Sequence, residues 1–275
     1  MKKICECAAV EYGTSDRLMV LFSSKPAMRR DVFDYVTFVQ NMPHTKLYLR
    51  DAHSDYLYHT GIEGLTNGIE DTVEFLQYFI KKMGPKRVSF MGMSGGGFAA
   101  ALFGHLVGGN PDTRVDDIHV QSSVTFVDPV KRDQIGGGER FPGMFQNLLD
   151  FLASRNEEPR FIDVSRIAEA NPGAVRLMRM YYAEGDQTDT IQARNMSGFD
   201  HVQAVPHPSH SHMMLGAALM REGTLYRDVE NTVEALIEEA PTHAVPAPDK
   251  APQNVGFAGM AGGGIGGQGN FGATA

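Results

Sequence analysis

The chain has no tryptophan, only two cysteines and no long apolar run. Cys5 and Cys7 are separated by one residue, so a disulfide framework is not expected; neighbours this close seldom reach bridging geometry. They read as reduced thiols acting as small buried hydrophobes, which fits a cytoplasmic protein. No segment approaches the roughly 18 consecutive apolar residues needed to span a bilayer. Glu6 breaks the short apolar stretch near the start, so residues 1–13 do not read as a secretory signal. Basic charge is scarce as well. Lys and Arg number 25 against 33 Asp and Glu, a formal net charge of −8. That balance argues against an extended nucleic-acid footprint, which is usually basic.

What is present is the composition of a globular domain. Over 275 residues, 42% are hydrophobic and 21% charged, enough to bury a sizeable core. Apolar runs at residues 18–22, 46–49, 87–91, 118–122, 175–182 and 201–205 read as strands. Between them the period changes. Ile69, Val73, Leu76 and Ile80 recur at helical spacing over residues 66–83, and Gly84-Pro85 stops them. Helical runs are also expected over residues 98–106, 147–152, 165–169, 190–196 and 213–220. Leu225, Val229, Val233 and Leu236 predict one final amphipathic helix. Residues 128–144, with Pro129, Gly136, Gly137, Gly138, Pro142 and Gly143, read as a long mobile connection. Strands alternating with helices predict a doubly wound α/β domain, with a mostly parallel sheet and helices on both faces.

This domain is expected over residues 1–240. Beyond it Pro241, Pro246, Pro248 and Pro252 crowd together, and the last 20 residues hold nine glycines. Residues 241–275 read as a linker and disordered tail, because so little apolar surface cannot offset the entropy of ordering.

The most informative stretch is residues 87–101. An apolar strand runs into Gly92-Met93-Ser94-Gly95-Gly96 and then into an alanine-rich helix. This is G-x-S-x-G in a strand–turn–helix context. A serine on such a turn projects its hydroxyl above the carboxyl edge of the sheet, beside a helix N-terminus that favours developing negative charge. The Gly95 N–H is placed to help hold an oxyanion. Other readings are a plain glycine-rich turn or a phosphate-binding turn, but no G-K-[ST] follows.

With this turn, residues 10–240 resemble the α/β-hydrolase superfamily. The resemblance implies a nucleophile, an acid and a histidine in that chain order. The acid then lies just past the strand ending near Tyr182. Asp186 fits the usual layout, with Asp189 as second choice and Glu184 behind both. The bare residues leave another reading open, in which an acidic residue here, Asp189 in particular, caps the next helix. The base follows the last strand, in a loop holding His207, His210 and His212. Distance from Pro206 favours His210, whereas the apolar run beginning at Met213 favours His212. These three histidines are also at a spacing open to zinc, but no H-E-x-x-H occurs, and neither metal nor cofactor is expected. A second oxyanion donor is placed by the resemblance in the loop after the early strand, at the Ser24 N–H. Tyr56, Tyr58 and His59 are expected to line a polar substrate pocket. The connection at residues 128–144 implies only a short cap.

The expected activity is therefore a serine hydrolase acting on a carboxylic ester with a small or polar acyl group, sugar-linked esters included. The expected partner is a small-molecule or carbohydrate ester, with neither nucleic acid nor membrane insertion. The alternatives are an acyltransferase using the same residues and a non-catalytic binding or assembly component of the same fold. The turn and its flanking loop are also similar to hydrolase-like proteins linked to polysaccharide acylation.

Overall fold

Short runs rich in Val, Leu, Ile, Met and Phe, closed by Ser, Gly or Pro, favour extended backbone when buried on both faces. In the computed structural model, which describes residues 1–24, 32–53, 56–136, 142–209, 211–231 and 233–239, these runs form one eight-stranded sheet. Its strands are β1 (Lys2–Cys5), β2 (Ala8–Glu11), β3 (Arg17–Phe22), β4 (Thr45–Leu49), β5 (Arg87–Met93), β6 (Val115–Gln121), β7 (Val175–Ala183) and β8 (Val202–His207). The spatial order is β1-β2-β4-β3-β5-β6-β7-β8. Strand β2 pairs antiparallel with β1 and β4, and the pairs from β4 through β8 are parallel. The order reverses at β3 and β5, so a crevice forms outside their carboxyl ends, where open α/β sheets bind ligands.

Helices cover both faces. Against one lie α2 (Ile69–Met83), α3 (Ser94–Gly108), α5 (Pro142–Ser154) and α6 (Val164–Ala170). There Val20, Phe22, Phe90, Ile118, Val120 and Met180 pack on Leu76, Phe103 and Leu148. Against the other lie α1 (Val36–Val39), α8 (His212–Arg221) and α9 (Thr224–Glu230), which bury Val39, Leu215, Leu219, Leu225 and Val229 on Met19, Leu21, Met91 and Tyr181. Period-2 alternation along each strand makes this division, since successive side chains point to opposite faces. Two short helices, α4 (Pro129–Ile135) and α7 (Gln187–Arg194), follow β6 and β7, and α10 (Val233–Glu238) packs on Leu177.

Three sequence-based expectations change. Residues 129–135 form helix rather than a loose connection, because the Asp128 carboxylate accepts from the N–H groups of Val130 and Lys131 and Pro129 opens the first turn. The final amphipathic run is two helices, α9 and α10, separated at Asn231, whose backbone turns extended with ψ 156°. The third change is an addition: the β1–β2 hairpin, absent from the strands read in the sequence, extends the sheet by antiparallel pairing on β4. The tail expected over residues 241–275 lies outside the described residues. Among the described residues no helix is long and apolar enough to cross a membrane.

At the amino end of the sheet a buried ion network ties the first residues of β3 and β5 to the end of α9. The Asp117 carboxylate is fully buried and meets Arg87 at 2.8 Å, Arg17 at 3.3 Å, Ser89 Oγ at 2.6 Å and His119 Nε2 at 2.7 Å. Burial alone would raise its pKa, but His119, Arg17 and Arg87 hold it well below the usual carboxylate range. The same two arginines reach the end of α9: Arg17 donates to the Val229 carbonyl and Arg87 to the Asn231 carbonyl.

A second buried pair sits at the far end of α3. His105 Nδ1 meets the Ala101 carbonyl at 2.7 Å, and its Nε2 meets His201 Nε2 at 2.9 Å. Burial pushes the His105 pKa down to about 4. Its ordinary value is about 6.5, so as pH falls through 6.5 the unfolded chain takes up a proton that the folded one refuses, and stability drops. His105→Gln is therefore expected to flatten the stability loss between pH 7 and pH 5 by about 2 kcal/mol, read from denaturant melts at the two pH values.

Candidate active site

The turn between β5 and α3 is built on close backbone approach. A Cβ on Gly92 would lie 2.0 Å from the Gly96 carbonyl oxygen, and one on Gly96 would lie 2.4 Å from the Phe22 carbonyl oxygen. Only glycine lets strand and helix come this near. Ser94 takes the remaining strain, with φ at 52°, in a region that L side chains rarely occupy. Its hydroxyl is thereby held at the carboxyl edge of the sheet, half-buried, at the start of α3.

His212 approaches from the opposite side as the first residue of α8, with Ser211 extended before it. Its Nε2 lies 3.1 Å from Ser94 Oγ, and its Nδ1 lies 2.6 Å from Asp189 Oδ1. The carboxylate accepts a hydrogen bond from Nδ1–H, which leaves the Nε2 lone pair facing the serine hydroxyl. The loop that delivers the histidine is stitched to the loop after β7: the Glu184 N–H donates to the His207 carbonyl at 2.9 Å and the Gly185 N–H to the Ser209 carbonyl at 3.2 Å.

The structure thus brings Ser94 together with Asp189 and His212, the second choices of the sequence reading. Asp186, the first choice, is the N-cap of α7, and its carboxylate accepts from the Asp189 N–H at 3.2 Å. Asp189 is the third residue of that helix, 2% exposed, and it is this step along the first turn that points its carboxylate toward His212. Residue 210 lies outside the described residues. His207 is directed elsewhere, its Nε2 3.2 Å from Glu222. With both nitrogens of His212 committed to Ser94 and Asp189, His207 and His212 do not face a common centre. Among the described residues no group of three His, Cys, Asp or Glu side chains could hold a metal ion.

The oxyanion expectations divide. The Gly95 N–H lies in the first turn of α3, where no earlier helical carbonyl reaches it. The Ser24 N–H is already spent, because with the Ser24 hydroxyl it donates to the Asp34 carboxylate, each at 2.7 Å. The loop at residues 51–60 also differs from expectation. Tyr58 is buried, and its hydroxyl donates to the Ser23 carbonyl at 2.8 Å. His59 is buried against Phe98, with Nδ1 2.8 Å from the Tyr56 carbonyl, and Tyr56 stacks on Phe151 with ring centroids 4.5 Å apart. These side chains brace the β3 and α3 ends from below.

A cavity on the other face is lined by Met93, the residue before Ser94, but not by Ser94 itself. It measures about 710 Å³ and is lined by Ser24, Phe33, Asp34, Tyr35, Met93 and Gln121, among others. Met93 directly precedes the nucleophile turn, and Gln121, its register partner on β6, accepts from the Tyr35 hydroxyl at 2.7 Å.

No family model and no curated protein matches the sequence. Solved structures do. The capsule O-acetyltransferase of Neisseria meningitidis serogroup A is similar, with TM-score 0.59 and 13% identity over 83% of this chain and 93% of that one. A histidine-to-alanine variant of that enzyme in complex with CoA overlaps with TM-score 0.54 and 13% identity, over 82% and 92% of the two chains. MGS-M2, an α/β hydrolase enzyme from a Medee basin deep-sea metagenome library, overlaps with TM-score 0.46 and 13% identity, over 82% and 94%. At such identities the likeness is one of fold. The mostly parallel eight-stranded sheet with helices on both faces is that of an α/β-hydrolase-like fold.

The two carboxylates are separable by substitution. Asp189→Asn is expected to lower ester turnover about 10⁴-fold, as loss of the orienting carboxylate does in such triads. Asp186→Asn keeps a capping oxygen and is expected to retain turnover within about threefold. Steady-state rates of the two variants on one ester substrate check this.

Proposed function

We propose that this chain is a serine hydrolase of carboxylic esters, with Ser94 as nucleophile, His212 as general base and acid, and Asp189 as the group that orients the imidazole. The observation that carries the reading is the unbroken contact from Ser94 Oγ through His212 to the Asp189 carboxylate, at 3.1 Å and 2.6 Å. A serine hydroxyl is a weak nucleophile at neutral pH and needs such a base within reach.

In the proposed reaction Ser94 Oγ attacks the ester carbonyl carbon while its proton passes to His212 Nε2. The carbonyl electron pair moves onto oxygen, which the Gly95 N–H and the amino end of α3 stabilise. Collapse of the tetrahedral species breaks the bond to the alkoxy group, which leaves as the alcohol with the proton from Nε2. Water then repeats the sequence on the acyl-enzyme, giving the carboxylic acid and free Ser94. The proposed substrate is a small or polar ester; the cavity lined by Met93, next to Ser94 in sequence, also carries the polar side chains of Asp34, Tyr35 and Gln121. The free thiols of Cys5 and Cys7 fit a cytoplasmic setting.

A second reading replaces water with a carbohydrate hydroxyl, which makes the protein an acyltransferase using the same three residues. The overlap with the capsule O-acetyltransferase favours it. A non-catalytic role would be supported by Ser94 lying out of proton reach of the histidine; the 3.1 Å contact argues against it.

Labelling with an active-site fluorophosphonate tests the common step. Wild-type protein is expected to be labelled at Ser94, and Ser94→Ala and His212→Ala to lose labelling by at least about 10³-fold in rate; equal labelling of Ser94→Ala overturns the reading. Product analysis with an acyl ester, with and without an added sugar, separates the two readings: free acid alone supports hydrolysis, and an acylated sugar supports transfer.

A further inference from the structure

Strand β6 is followed directly by a residue to which the proposed reaction gives no part. Ser122 is 1% exposed and holds φ at 43°, a left-handed conformation unfavourable for a residue with a Cβ. Its N–H still donates to the Tyr181 carbonyl at 2.9 Å, so the kink is made while the strand pairing is kept. The consequence is where the hydroxyl goes. Ser122 Oγ lies 2.6 Å from Asp189 Oδ2 and 3.2 Å from the backbone carbonyl of His212. A hydroxyl has one proton, and the shorter contact, to an ionised acceptor, is the stronger bond.

Asp189 therefore has its two oxygens divided. Oδ1 faces His212 Nδ1, and Oδ2 is held by the Ser122 hydroxyl and, at 3.3 Å, by the Ala183 N–H. A carboxylate held at one oxygen cannot turn about its Cβ–Cγ bond, so the other stays aimed at the imidazole. Strained backbone persists where the surroundings over-determine it, and such strain gathers at functional sites.

We propose that Ser122 is a positioning residue for the Ser94–His212–Asp189 relay: its hydroxyl locks the Asp189 carboxylate and thereby fixes the orientation and tautomer of His212. This rests on the acyl-transfer reading for its effect on turnover, but not for its effect on the imidazole. Among the charged groups near His212, Asp189 on α7 touches it directly, and Asp186 at the head of the same helix holds the Asp189 N–H.

The test uses full-length protein and two variants. Ser122→Ala removes the hydroxyl at the same backbone strain. Ser122→Gly removes it at a residue that accepts φ of this sign, so a folded protein is available even where alanine fails to fold. The first readout is the proton NMR resonance of His212 Nδ1–H in resting enzyme, identified by its loss in His212→Ala. A bond of 2.6 Å to a carboxylate places this signal far downfield. In both variants it is expected to move upfield or broaden away. The second readout is steady-state kinetics, with kcat expected to fall about tenfold and KM to stay within twofold, the pattern for loss of an interaction that matters only in the transition state. An unmoved resonance in either variant overturns the proposal, as does a moved resonance with kcat within twofold of wild type. Absence of any Ser94-dependent turnover in wild-type protein overturns the acyl-transfer reading instead, and the resonance alone then decides whether Ser122 orients the imidazole.

Discussion

The site depends on an approach of backbone to backbone that leaves no room for a methyl group. Where β5 passes into α3, the carbonyl of Gly96 and the carbonyl of Phe22 occupy the space that side chains at Gly92 and Gly96 would need. That packing brings α3 close over the ends of β3 and β5 and forces the intervening turn to be short. Ser94 inherits the strain of the short turn and, with it, a fixed position relative to the sheet edge. The contacts to His212 and Asp189 follow from this, since both stand in the first turns of helices that come after neighbouring strands of the same sheet. A looser turn would leave the hydroxyl free to swing, and the imidazole would have no fixed partner.

Much of this order is written plainly in the chain. Runs such as residues 18–22 and 87–91 are apolar at every position, which is what a strand covered on both faces requires, and the Ile69–Leu76–Ile80 stripe marks α2 without ambiguity. The turn at Ser94 is equally legible, because steric exclusion acts over five consecutive residues and leaves glycine as its mark. The choice between Asp186 and Asp189 is not legible in the same way. Both carboxylates fall within one helical turn, and which one faces the histidine depends on where α7 begins. The N-cap preference of Asp186 settles that start and hands the inward position to Asp189. His212 was obscured by a loop with several histidines, and Ser122 by looking like the last residue of an ordinary strand.

The same difference explains the remaining surprises. Tyr58 and His59 stand in a polar, aromatic segment that reads as the lining of a substrate pocket, yet both are buried. The Tyr58 hydroxyl is met by the Ser23 carbonyl and His59 Nδ1 by the Tyr56 carbonyl, contacts invisible in the sequence pattern. Helix α4 formed where glycine and proline suggested irregular chain, because one capping carboxylate and one proline at the first helical position are enough to start a short helix. Local propensity identifies elements; long-range hydrogen bonding decides which polar residues are hidden.

The ion network beneath the sheet carries a consequence for how the protein is made. Arg17 and Arg87 emerge early in synthesis, but the carbonyls of Val229 and Asn231 that complete their coordination are among the last of the domain to leave the ribosome. Until then two guanidinium groups beside Asp117 lack part of their hydrogen bonding, in a region too dry for water to substitute fully. Nascent chains truncated before α9 hold a sheet whose amino end is electrostatically unfinished, so the network closes only once α9 has emerged and docked, and the interval before it is when the growing polypeptide is most exposed to misfolding.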